Sequence, residues 1–176
     1  MRFVPLPLAS SFLVEPDLLE DSRGAFARTY CGRDFQKHGV RKPVAQCNIS
    51  YNYARGTLRG MHFQLGSSSE GKLVRCVAGA IYDVALDLRP DSKTYRAWYG
   101  VELTAENRRA IYIPEGFAHG FQTLSDHAEV FYQMFEYYDP DSACGVRWND
   151  KAFDIKWPIE NPILSDKDAN YPDYMN

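Results

Sequence analysis

Two of the chain's four histidines sit where chemistry could be done. His62 lies in Leu58-Arg59-Gly60-Met61-His62-Phe63-Gln64, where polar and apolar residues mix around a glycine that permits close backbone approach. His119 lies in Ile113-Pro114-Glu115-Gly116-Phe117-Ala118-His119-Gly120-Phe121, flanked by glycines just after a strand-like run. His38 and His127 stand in polar, turn-like surroundings and read as solvated. A transition-metal site would need a His-x-His pair, a nearby carboxylate and a further histidine converging on one ion. Gln64 occupies the place of the second histidine, so no metal is expected. Proton abstraction beside a carbonyl fits better. It requires a base, a carboxylate to hold the base's tautomer, a cation for the enolate oxygen and an acid on the opposite face. His62 can be the base, Asp168 its orienting partner, Lys72 the cation and Tyr132 the acid. Spacing alone does not bring these four together.

The elements that must position them are mostly strands. Lys72–Gly79 leads into Ala80–Arg89, with Gly79 and its neighbours supplying the turn. In the second run Ile81, Val84, Leu86 and Leu88 approximate one face, and Asp83, Ala85, Asp87 and Arg89 the other. Further strand runs cover 97–103, 110–113 and 128–138. Short strands at this spacing, broken by Gly, Pro and Asp, predict an all-β sandwich or barrel, and closure removes exposed edges. Helical signal is confined to one short turn at 32–39, stopped by Gly39. The tail from Trp157 to Asp168 reads as an irregular segment laid over the barrel.

The whole chain sets the bounds. Its 176 residues fit one domain, spanning 1–176, with a real core. The aromatic content of 14 % is a surplus of the kind that builds pocket walls and interfaces. A net charge of -3 gives no reason to expect nucleic acid, and no apolar run is long enough to cross a bilayer. Cys31, Cys47, Cys76 and Cys144 form no CxxC pair and read as free thiols in a reducing compartment. With a Pro-broken N-terminus unlike a signal peptide, a cytoplasmic location is expected.

Ordered blocks then carry a resemblance. Asp21-x-Arg23-Gly24-x-Phe26, Gln46-x-Asn48-x-Ser50, Leu58-Arg59-Gly60-x-His62-Phe63-Gln64, Lys72-Leu73-Val74, Asp83-Val84-Ala85-x-Asp87-Leu88-Arg89, Ile113-Pro114-x-Gly116-x-Ala118-His119-Gly120-Phe121, Tyr137-Tyr138, Arg147-Trp148 and Leu164-Ser165-x-Lys167-Asp168 resemble the dTDP-4-dehydrorhamnose 3,5-epimerases. The match runs from about residue 10 to residue 170. It implies a metal-free, cofactor-independent double-stranded β-helix (cupin jelly-roll) barrel, usually a homodimer, that epimerises a nucleotide-linked 4-keto-6-deoxy sugar. By that resemblance His62 is the base, held by Asp168; Lys72 stabilises the enolate and Tyr132 returns a proton from the far side. Arg23, Arg59 and His119 match positions on the diphosphate or sugar, and Tyr138 an aromatic near the base. Phe26, Arg28, Gln46, Asn48 and Lys167 complete the expected substrate contacts.

This chain also departs from the family pattern. Arg28 stands where a glutamate is usual, Cys47 where an aspartate is, Gln133-Met134-Phe135 where a Lys-x-Thr-like run is, and Ala143-Cys144-Gly145 where Glu-Arg-Gly is. Retained chemistry on an altered nucleotide, CDP for example, is one reading of these changes, because an unpaired polar group rejects a mismatched ligand. Neutral drift at a hydrated rim is the other. Alternatives to double epimerisation are inversion at C3 or C5 alone, a non-catalytic sugar-nucleotide-binding protein, and a metal-dependent cupin.

Overall fold

A computed structural model describes residues 1–174. Thirteen strands dominate the described residues. A six-stranded antiparallel sheet carries β1 (Arg2–Pro5), β2 (Phe12–Glu15), β10 (Ala110–Ile113), β7 (Lys72–Ala78), β12 (Ala128–Met134) and β5 (Gln46–Asn52), in that order. A five-stranded sheet carries β13 (Ala143–Gly145), β6 (Leu58–Gln64), β11 (Phe117–Thr123), β8 (Ala80–Asp87) and β9 (Trp98–Thr104). Facing each other, the two sheets make the cupin jelly roll expected from the strand spacing and the resemblance. β3 (Leu19–Asp21) and β4 (Gly24–Phe26) pair only with each other, as a small exposed arm.

Between the sheets, one end of the barrel is filled with Val74, Ile81, Ala85, Leu103, Ile111, Phe117, Phe121 and Val130. The outer face of the six-stranded sheet packs Phe12, Leu73 and Tyr112 against Phe35 of helix α1 (Gly32–Lys37). The outer face of the five-stranded sheet buries Met61, Val84, Leu86 and Ala118 under Val146, Phe153 and Ile155. This second cover corrects one reading of β8. Ile81 shares the inward face with Asp83 and Ala85, while Tyr82, Val84, Leu86 and Leu88 face the cover. Both faces are apolar because both are packed, which blurs the alternation a half-exposed strand would show.

Strand β12 stops at Met134, four residues short of the expected 138; Tyr137 and Tyr138 are exposed. The tail is irregular as expected except for a four-residue helix, α2 (Asp166–Ala169), capped by Ser165 accepting from the Asp168 N–H. No helix among the described residues is long and apolar enough to cross a membrane. All four cysteines are free thiols. His38 and His127 are exposed, each held by an aromatic: His38 stacks on Phe3, and His127 Nδ1 meets the Tyr51 hydroxyl at 2.6 Å.

Candidate active site

The end of the barrel not filled by apolar side chains is a cavity of about 650 Å³, large enough for a nucleotide sugar's reacting half and more. Its two walls come from the two sheets. His62 and His119 are directly opposite each other on β6 and β11, so the register places both imidazoles on the five-stranded wall. Their close approach is permitted by glycines. A Cβ at Gly60 would lie 2.5 Å from the Gly120 Cα, and Gly60 has φ +130, which L side chains rarely adopt. Facing them, β12 pairs in register with β5 and β7, so Tyr132 lies between Asn48 and Val74 on the six-stranded wall.

Each imidazole has its own carboxylate. His62 Nε2 is 2.6 Å from Asp168 Oδ1, and Asp168 is presented by α2, 106 residues away in the chain. Because the carboxylate accepts, Nε2 carries the proton and Nδ1 is left as the basic nitrogen. Burial works to raise the Asp168 pKa, but the hydrogen bond and charge of His62, the Gly60 N–H and Ser165 outweigh it and hold the carboxyl below its usual range. His119 Nε2 is 2.8 Å from Asp83 Oδ2, and Asp83 Oδ1 has no hydrogen-bond partner among the described residues.

Tyr132 is edge-on to His119, with ring centroids 6.1 Å apart. Burial first, then the charge of Asp83, push its phenol far above the ordinary range, against smaller opposing effects of Arg59 and a Ser50 hydrogen bond. It is therefore a neutral O–H donor at any physiological pH. Lys72, buried on the cavity wall, donates to Glu70 Oε1 at 2.7 Å.

Gln46, Asn48, Arg59, His119, Tyr138 and Lys167 also line the cavity, as expected. Arg59 is aimed by its Nε–H to Asn52 Oδ1 at 2.8 Å, and Gln46 Oε1 accepts from the Tyr138 N–H. Arg23, Phe26 and Arg28 do not join them. Arg23 and Phe26 sit on the exposed β3–β4 arm and Arg28 is exposed beyond it, so none lines the cavity of its own chain. The arm hydrogen-bonds to no barrel strand, which is why an in-chain contact fails. Asp83, Glu70 and Tyr171 were not singled out by the sequence reasoning. Asp83 carried a usable signal, since a carboxylate at i+2 spacing from Ile81 and Ala85, and so on one face with them, needs a partner on a packed strand. The described residues contain no group of three His, Cys, Asp or Glu side chains arranged to hold a metal ion.

Comparison with known proteins identifies the family. Residues 5–176 match the family model of dTDP-4-dehydrorhamnose 3,5-epimerase. The enzyme of that name from Salmonella typhimurium is 45 % identical over 173 residues, 98 % of this chain and 94 % of that protein. The crystal structure of the Bacillus anthracis enzyme, with TDP and pyrophosphate bound, superposes with a TM-score of 0.95 at 43 % identity, covering 98 % of this chain and 99 % of the other. A 3'-monoepimerase from Streptomyces bikiniensis, in complex with dTDP-quinovose, superposes at 0.89 with 33 % identity, covering 97 % and 86 %. The chain, an isomerase, belongs to the dTDP-4-dehydrorhamnose 3,5-epimerase family.

Proposed function

We propose that the protein inverts the carbons flanking the C4 ketone of a dTDP-linked 4-keto-6-deoxyhexose, acting at both C3 and C5 without a cofactor. The observation that carries this is the placement of a His–Asp dyad and a neutral tyrosine on opposite walls of one cavity. A sugar ring held between those walls meets a base on one face and an acid on the other. His62 Nδ1 removes the proton alpha to the ketone, and Asp168 stabilises the imidazolium that results. Negative charge moves onto the C4 oxygen, where Lys72 supplies positive charge in a site shielded from water. Tyr132 then delivers a proton from the far face and the stereocentre is inverted; solvent returns a proton to the phenolate and takes one from the imidazolium before the second carbon reacts. C3 and C5 flank the same ketone, so one enolate-stabilising group serves both. Arg59, His119 and Lys167 bind the sugar or the diphosphate, and Gln46, Asn48 and Tyr138 lie toward the base.

The remaining expected contacts, Arg23, Phe26 and Arg28, reach substrate only from a second copy of the chain. Phe26 is 67 % exposed, and Ile49 on the open edge strand β5 is 62 % exposed. A homodimer whose arms cover the neighbouring barrel accounts for both the apolar surface and the stranded arginines.

The test is proton NMR of dTDP-4-keto-6-deoxyglucose with the protein in D2O. Deuterium entering at both C3 and C5, and lost in His62→Ala, is the expected result. Entry at one carbon makes it a mono-epimerase. No exchange with the dTDP sugar, but exchange with its CDP counterpart, assigns the altered rim to a different nucleotide. Binding of all these sugars without exchange overturns the enzymatic reading.

A further inference from the structure

We infer that Tyr171, in the segment after α2, is a positioning residue that closes the open flank of the His62–Asp168 dyad. The inference rests on the epimerase reading and adds to it a side chain from outside the quoted motifs.

Three contacts converge on this tyrosine. Its ring lies edge-on to the His62 imidazole, with centroids 5.8 Å apart and planes at 66°. Its ring face is approached by the Lys167 ammonium, 5.9 Å from the centroid. Its ring also fills a slot that exists only because residue 145 is glycine. A Cβ there would stand 2.4 Å from the tyrosine ring. Gly145 pairs with His62 across the β13–β6 ladder, so slot, ring and imidazole adjoin one another.

The segment carrying Tyr171 is pinned on both sides. Upstream, Ser165 caps α2. Downstream, the Arg147 N–H donates to the Pro172 carbonyl at 3.2 Å, Arg147 pairs with Asp173 at 2.9 Å, and the Tyr174 hydroxyl meets that of Tyr95 at 2.8 Å. Tyr171 is thus held from outside the cavity and bears on His62 from within it.

The consequence is kinetic. Asp168 fixes one nitrogen of the imidazole, but a single hydrogen bond leaves the ring free to rock about it. A wall against the ring's flank removes that freedom, and a displacement of about 1 Å at a reacting atom can cost on the order of 100-fold in rate. The ring, not the hydroxyl, carries this role, so Tyr171→Phe and Tyr171→Ala predict different kinetic signatures.

The experiment compares Tyr171→Phe, Tyr171→Ala, Gly145→Ala and the double variant in the D2O exchange assay, with the His62 ring nitrogens followed by NMR in the substrate-free protein. Tyr171→Phe is expected to keep both kcat and KM within about 3-fold, because the ring stays. Tyr171→Ala is expected to lower kcat about 10-fold or more and to broaden the His62 ring-nitrogen signals, as the ring rocks about its one hydrogen bond. Gly145→Ala should reproduce that loss by expelling the ring, and should add little to Tyr171→Ala, where the ring is already gone. Wild-type kcat in Tyr171→Ala, or a loss of kcat with the His62 ring-nitrogen signals unchanged, overturns the inference. If the wild-type protein exchanges no deuterium, the epimerase reading fails instead, and the His62 nitrogen signals still decide whether Tyr171 positions the ring.

Discussion

At the scale of single residues, the dyad and the tyrosine make separable contributions. Asp168 stays ionised to lower pH than an ordinary carboxyl, so it remains available to the imidazolium through the working range. Replacing it with asparagine keeps the shape but removes the charge. Asp168→Asn should lower kcat by about 100-fold or more while calorimetric binding of dTDP changes little. Tyr132→Phe separates removal of the proton from its return. His62 can still take a proton and give it back on the same face, so deuterium exchange should persist while the inverted product disappears from the NMR spectrum. Lys72 is harder to probe by deletion. Its removal leaves Glu70, 8 % exposed, as a buried carboxylate without its partner. Lys72→Met should therefore cost stability, about 3 kcal/mol by urea denaturation, as well as activity.

At the scale of elements, the site depends on strands that approach more closely than side chains ordinarily allow. Gly60 and Gly120 bring β6 and β11 together where the register shifts between His119 and Phe121. Gly60→Ala meets both a left-handed φ and a backbone clash, so unfolding should fall by about 3 kcal/mol or more in a denaturant titration. The turn after β8 carries its own electrostatics. Burial tends to raise the Asp87 pKa, but hydrogen bonds from Arg89, Ser92 and Thr94 prevail and bring it down to about 2. An unfolded aspartate titrates near 3.9. The depressed folded value means that Asp87 stabilises the protein above about pH 4, and that this contribution is lost as pH falls toward 2. Thermal melts from pH 5 down to 2.5 should fall less steeply for Asp87→Asn than for the wild type.

At the scale of the whole molecule, the barrel divides its interior between an apolar plug and a polar cavity, and leaves an arm with nothing to pack against in its own chain. If that arm serves a second copy, each active site uses two chains. His62→Ala copies and Arg23→Ala copies would then be separately defective and complementary. Mixing them after co-refolding should restore exchange activity well above either alone, with light scattering reporting dimers throughout. Activity no higher than the sum of the two parents would assign Arg23 to its own chain or to no site at all.

Much of this was legible in the sequence. Strands expected at 72–79, 80–89 and 110–113 form at 72–78, 80–87 and 110–113, because short β-prone runs punctuated by Gly and Pro carry their turn chemistry locally. The types of His62, Lys72, Tyr132 and Asp168 pointed to enolate chemistry, because that reaction demands those functional groups whatever the fold. Asp168 was paired with His62 from the sequence and its resemblance, and α2 makes that contact; that Asp83 serves His119 was decided by the tertiary structure, through the pairing of β8 with β11. The pairing of Lys72 with Glu70, the slot at Gly145 and the inward direction of Ile81 likewise depend on what covers each strand. A sequence sets the chemical identity of each group and the local bias of the chain. Distances between groups a hundred residues apart, and the desolvation that moves their pKa values, arise only when two sheets close on each other and exclude water.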